Sequence, residues 1–129
     1  MNFTLPSLIT ALTLLMLVVV NFNVGRARGK YKIAAPATTG HLMFELAYRV
    51  QVNTIENTVA FLPALWLFAY YLDTRWAAIL GGVWLIGRIW YAIAYCQDAK
   101  KRGPGFGLSY LAFLALLVGS LLGIARQMT

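Results

Sequence analysis

The chain has 129 residues, 60% of them hydrophobic, with 11 basic and 4 acidic side chains and a mean hydropathy of +0.69, a composition suited to one domain whose solvent is not water. Its basic residues gather in two short runs, Arg26, Arg28, Lys30, Lys32 and then Lys100, Lys101, Arg102, which is the loop charge of a membrane protein and excludes the solvated basic face of a nucleic-acid binder. A single cysteine and a single histidine exclude an internal disulfide and leave no metal-ligand grouping, so no metal is expected.

A helix needs about 20 mostly apolar residues to cross a hydrocarbon core of roughly 30 Å. The first such stretch, Leu5 to Val24, has no Lys or Arg before it and no small-residue cleavage site, so it reads as a retained helix and not a secretory signal. The basic run ending at Pro36 separates it from the second, Leu42 to Leu72. An Asp73-Thr74-Arg75 turn precedes the third, Trp76 to Tyr95, and Lys100 to Gly105 forms the break before the fourth, Phe106 to Ile124. The expected fold is all-α: one domain over residues 1–129, a bundle of four transmembrane helices. Trp66, Trp76, Trp84 and Trp90 include candidates for interfacial belts. Loops one and three carry the positive charge and are expected in the cytoplasm, with both termini across the membrane, in a bacterium the inner membrane.

The second stretch opens with Glu45, Arg49, Gln51, Asn53, Glu56 and Asn57 before turning apolar. Arg49, Asn53 and Glu56 are spaced i, i+4, i+7 and share one helix face, with Glu45 a turn earlier. Counting back about 20 residues from Leu72 places Glu56 just inside the cytoplasmic half of the membrane and Arg49 near its surface. In the third stretch Arg88, Tyr91 and Tyr95 share a face at i, i+3, i+7. An arginine at mid-span costs about 2.5 to 3.5 kcal/mol on insertion scales and needs a partner or a wet cavity. On depth alone Glu56 is the expected partner, and such a pair has two readings: a structural ion pair that fixes register, or part of a pocket. The whole set, with Arg102, offers more charges and donors than pairing requires and points to a small, multiply charged ligand.

These residues resemble the membrane-associated proteins in eicosanoid and glutathione metabolism, the MAPEG family, over most of the chain. Tyr48 to Asn57 matches the R-x-x-x-N-x-x-E element of the family's second helix, followed by Phe61-Leu62-Pro63; Pro36-Ala37-Thr38-Thr39-Gly40 resembles the leukotriene C4 synthase branch, and Gly87 to Tyr95, with its R-x-x-Y-x-x-x-Y spacing, is similar to that branch and to the microsomal glutathione transferases. The resemblance implies a homotrimer with glutathione bound between subunits from the cytoplasmic side. It implies glutathione contacts at Arg49, Gln51, Asn53, Glu56, Arg88, Tyr91 and Tyr95, with Arg28 from the first loop. Arginines suit the two carboxylates of glutathione and Glu56 its ammonium.

Arg102 falls where leukotriene C4 synthase has its thiol-activating arginine, and it also sits in a run that topology alone predicts to be basic. Asn57 and Gly29 replace a tyrosine and an arginine of that synthase, which turns the expectation toward a bacterial detoxifying transferase. The implied activity is attack of the glutathione thiolate on a hydrophobic second substrate from the bilayer, an electrophile or a lipid hydroperoxide. The other reading is a non-enzymatic lipid- or glutathione-binding scaffold like the five-lipoxygenase-activating protein.

Overall fold

A computed structural model describes residues 2–129. The chain forms four long helices, α1 (Thr4–Tyr31), α2 (Leu42–Tyr71), α3 (Thr74–Gln97) and α4 (Gly103–Met128), with one 3-10 turn at Ala99–Lys101. No strand occurs among the described residues.

The helix ends depart from the apolar limits for local reasons. α1 does not stop at Val24. Arg26, Arg28 and Lys30 are good helix formers, and cations favour the negative end of the helix dipole, so the basic run is helix until Lys32 closes it in a left-handed conformation, its N–H donating to the Arg28 carbonyl. Between α2 and α3 the turn shrinks to little more than Asp73, whose carboxylate accepts from the Arg75 and Trp76 amides at 2.6 and 3.0 Å and so caps α3. Pro104 and Gly105, expected in a loop, lie in the first turn of α4, where proline's missing N–H costs nothing. His41 caps α2 through Nδ1, 3.1 Å from the Met43 amide, while its ring stacks on Tyr31 at 3.8 Å.

α1, α3 and the segment Ala99–Met128 are each long and apolar enough to cross a membrane. α2, with 30 residues, has the length, but its polar first half dilutes its hydropathy. Leu15, Val18, Val19 and Phe22 of α1, Ile86 and Ile93 of α3, and Leu111, Leu121 and Leu122 of α4 are all more than half exposed. Such surface is tolerable against lipid or against another apolar protein face, and not in water. The chain is an integral membrane protein with a four-helix bundle.

The interior is knit by close crossings. Phe61 stacks on Trp84 with centroids 3.7 Å apart, which puts Trp84 in the core and not at a membrane interface. α4 turns a stripe of small residues inward, Gly105, Ser109, Ala112, Ser120 and Gly123, the pattern by which helices approach closely in lipid. A Cβ added at Gly87 of α3 would stand 2.7 Å from the Ser109 nitrogen, and one at Gly105 2.5 Å from the Tyr91 nitrogen. The Ser120 hydroxyl reaches the Ala64 carbonyl of α2 at 3.2 Å, and Trp66 Nε1 donates to Thr10 of α1 at 3.0 Å.

Candidate functional site

Arg88 is fully buried where α2 and α3 cross. Its Nη2 donates to Asn53 Oδ1 at 2.8 Å and Thr54 Oγ1 at 3.0 Å, and its guanidinium lies over the Tyr91 ring, 4.2 Å from the centroid. Glu56, the partner expected from depth, is exposed, and the ion pair is not formed. Depth along a helix does not fix azimuth: Asn53 and Thr54 face α3, and Glu56, though on the same polar stripe as Asn53, is turned about 60° from it and about 160° from Thr54, away from Arg88. Nε and Nη1 of Arg88 are buried with no hydrogen-bond partner among the described residues, an open demand beside a cleft that Arg88 itself does not line.

That cleft, about 280 Å³, is lined by Asn53, Tyr91, Arg102, Gly103 and Phe106. Three elements build it. α2 brings Asn53, steadied by Asn57, whose Nδ2 is 3.2 Å from Asn53 Oδ1. α3 brings Tyr91, with Tyr95 a turn on and the two rings 5.4 Å apart. The start of α4 brings Arg102, whose guanidinium carbon is 5.9 Å from the Tyr95 ring centroid. Gly105 lets α4 come down onto the α3 backbone at Tyr91, which sets Arg102 against this wall. Arg102 supplies the cation of this lining. The result is a half-open cup with aromatic walls and a cationic lining, suited to a small anion. Arg49 itself is exposed on α2.

Gln51 and Arg28 are not part of this cup. Gln51 is two residues from Asn53, so it points about 200° away, where Nε2 donates to Asn21 Oδ1 of α1 at 2.6 Å. A second, larger cavity of about 660 Å³ is lined there by residues including Asn21, Val24, Arg28 and Gln51. Arg28 is partly engaged: Nη1 donates to the Ala37 carbonyl at 2.7 Å and the guanidinium sits 4.8 Å over the Phe44 ring, pinning the first loop.

Two members of these clusters were not singled out from sequence. Thr54 adjoins the polar stripe but gave no signal of its own beside Asn53. Asn21 had one, being a polar residue inside the apolar run of the first helix.

Comparison with known proteins is consistent across most of the chain. The MAPEG family model matches residues 6–122. An uncharacterised protein of Synechocystis is 54% identical over 123 residues, covering 95% of this chain and 90% of the relative. Microsomal glutathione S-transferase 2 of Homo sapiens is 44% identical over 107 residues, 81% of this chain and 71% of the relative. Leukotriene C4 synthase of Cavia porcellus is 34% identical over 116 residues, 90% and 77%. With the four-helix membrane bundle and this extent of match, the chain belongs to the MAPEG family.

Proposed function

We propose that the protein is a membrane glutathione transferase whose complete site forms between neighbouring subunits of a homotrimer. The observation that carries the reading is the placement of Asn53, Tyr91 and Arg102 around one cleft, backed by Arg88 with two unmatched N–H groups. Relatives named microsomal glutathione S-transferase and leukotriene C4 synthase give the ligand its identity.

Glutathione carries two carboxylates, one ammonium and a thiol. The carboxylates take Arg49 and Arg88, and Glu56 takes the ammonium, as charge-assisted hydrogen bonds. Arg102, at the aqueous mouth of the cleft, meets the sulfur. A free thiol has a pKa of about 8.5, and an adjacent cation lowers it and raises the thiolate fraction at neutral pH. The thiolate pair forms the new C–S bond, and the leaving group departs with the pair of the broken bond. With a lipid hydroperoxide, the same pair attacks oxygen, releasing the alcohol and leaving a sulfenic acid that a second glutathione converts to disulfide and water. The hydrophobic substrate arrives through the bilayer.

The two faces support a ring assembly, and the family supplies the number three. The Arg28–Gln51–Asn21 cavity and the Asn53–Tyr91–Arg102 cleft point apart within one chain, and a head-to-tail ring sets one against the other of the next subunit. A bacterial inner membrane with loops one and three in the cytoplasm puts both faces on the side where glutathione is made available. The site residues are thus Arg102 as catalytic residue, with Arg28, Arg49, Gln51, Asn53, Glu56, Arg88, Tyr91 and Tyr95 binding glutathione.

Titration of glutathione into the detergent-purified protein, with thiolate absorbance followed in the ultraviolet across pH 6 to 9, tests this. Saturable binding with a lowered thiol pKa is expected. No binding at millimolar glutathione would move the reading to the lipid-binding scaffold.

A further inference from the structure

α1 has a second functional-looking face besides the one that carries Asn21 and Arg28. Val19, Asn23, Arg26 and Lys30 fall at i, i+4, i+7 and i+11 and form one stripe, on roughly the opposite side of the helix from Asn21 and Arg28. This stripe borders a groove with two continuous parts. The deeper part, about 390 Å³, is walled by Val19, Val20, Phe22, Val50, Ala92 and Ile93, and shares Asn23, Arg26, Ala47 and Cys96 with the outer part. The outer part, about 200 Å³, adds Lys30, Tyr31 and Met43.

The groove therefore changes chemistry along its length. Val19 to Lys30 spans about 16 Å at the rise of an α-helix, from wholly apolar walls at the membrane-interior end to two exposed cations at the aqueous end. Arg26 donates to Asn23 Oδ1 at 3.3 Å, and Lys30 lies 5.4 Å over the Tyr31 ring. Among the described residues no acidic side chain lines either part. Two unneutralised cations above an apolar slot, opening beside the exposed apolar residues Val19, Phe22 and Ile93 of α1 and α3, complement one kind of molecule: an anionic amphiphile already in the bilayer.

We propose that the groove between α1, α2 and α3 is a binding site for an anionic phospholipid, with its phosphate at Arg26 and Lys30 and an acyl chain along Val19, Val20, Ala92 and Ile93. The groove shares no residue with the Asn53–Tyr91–Arg102 cleft, while Arg26 and Phe22 also line the larger cavity at Asn21, Arg28 and Gln51, which the groove adjoins. Val20 and Val50, which wall the groove, also pack against Tyr91 and Tyr95, so a seated acyl chain fills space directly behind the aromatic wall of the cleft.

The test is native mass spectrometry of the purified protein titrated with dioleoyl phosphatidylglycerol or dioleoyl phosphatidylcholine. Phosphatidylglycerol is expected to stay bound at activation energies that strip phosphatidylcholine. The double variant Arg26→Gln/Lys30→Gln touches only exposed side chains and is expected to weaken phosphatidylglycerol binding about thirtyfold, the effect of two basic contacts at a membrane surface. Lys100→Gln/Lys101→Gln removes the same charge elsewhere and should change binding by less than about threefold on the same basis. Equal retention of the two lipids, or equal losses in the two double variants, overturns the site. So does a change in subunit number in Arg26→Gln/Lys30→Gln, which would make the groove a contact between copies of the chain. Ala92→Phe, placed in the apolar part, should also displace the lipid without lowering the thermal midpoint of the lipid-free protein; a lipid that stays bound places its acyl chain elsewhere and overturns the assignment.

Discussion

Arg88 Nη2 lies 2.8 Å from Asn53 Oδ1, so a fully buried cation in a membrane bundle is held by a neutral amide and a threonine, with no carboxylate in contact. A buried ion pair would neutralise the arginine within the protein. An amide satisfies one N–H and leaves the charge without a counter-ion among the described residues.

Arg88→Met separates these roles. Methionine fills the volume without a charge, so thermal unfolding in detergent is expected to stay within about 1 kcal/mol of wild type or to improve, while glutathione binding by titration calorimetry is lost. Asn53→Ala should do the reverse to the fold, lowering stability by about 1.5 to 3 kcal/mol because a charged donor loses its acceptor. A collapse of stability in Arg88→Met would mark the arginine as a device for helix register.

Arg102 is exposed at the start of α4, so Arg102→Gln is expected to leave the unfolding midpoint alone. Removing the cation beside sulfur returns the bound thiol toward about 8.5, so the pH–rate profile moves to higher pH and turnover at pH 7 drops by about tenfold per unit of pKa regained. Spectroscopic titration of the bound thiol and steady-state turnover check the two halves. If both are unchanged, Arg102 is loop charge.

Gly105→Ala and Gly107→Ala make a matched pair on one helix turn. A methyl at 105 meets the Tyr91 backbone nitrogen at 2.5 Å and its Cα at 2.8 Å, whereas at 107 nothing lies within 4 Å. The first is expected to destabilise by about 1 to 3 kcal/mol, or more where backbone must move, and to lower glutathione affinity with it. The second is expected to raise stability by about 0.5 to 1 kcal/mol through helix propensity. Unfolding curves that respond alike would refute the close crossing of α3 and α4.

The separation of Arg28 and Gln51 from Arg102 yields a complementation experiment. Homotrimers of Arg28→Ala/Gln51→Ala and of Arg102→Gln should each be impaired. Co-expressed in equal amounts, they should regain about a quarter of wild-type sites, the fraction of subunit junctions in a random ring that pair two intact halves. No recovery beyond the separate variants would place the complete site within one subunit.

How much of this was legible beforehand depended on the kind of information involved. The apolar runs and their breaks announced the four helices, because lipid punishes polar backbone and polar side chains strongly. Helix ends were read less well, since α1 keeps its helix through Arg26 to Lys30 once the dipole favours cations there, a gain that hydropathy ignores. The Arg49–Asn53–Glu56 stripe identified one face of α2 correctly as polar, yet the choice of Glu56 over Asn53 and Thr54 for Arg88 went wrong because depth says nothing about which neighbour that face meets. The division of the candidate residues into two opposed faces is implicit in the spacing of Gln51 and Asn53, and it needed the packing of α1 against α2 to become visible.

Where Gly87 and Gly105 bring α3 and α4 together, main chain rests on main chain, and main chain has no rotamers to change. The interval from Tyr91 to Arg102 is therefore a fixed gauge, set before any ligand arrives. That wall of the cleft acts as an anvil, and in the proposed trimer whatever closing a bound ligand provokes would come from the neighbouring subunit's surface that carries Arg28 and Gln51.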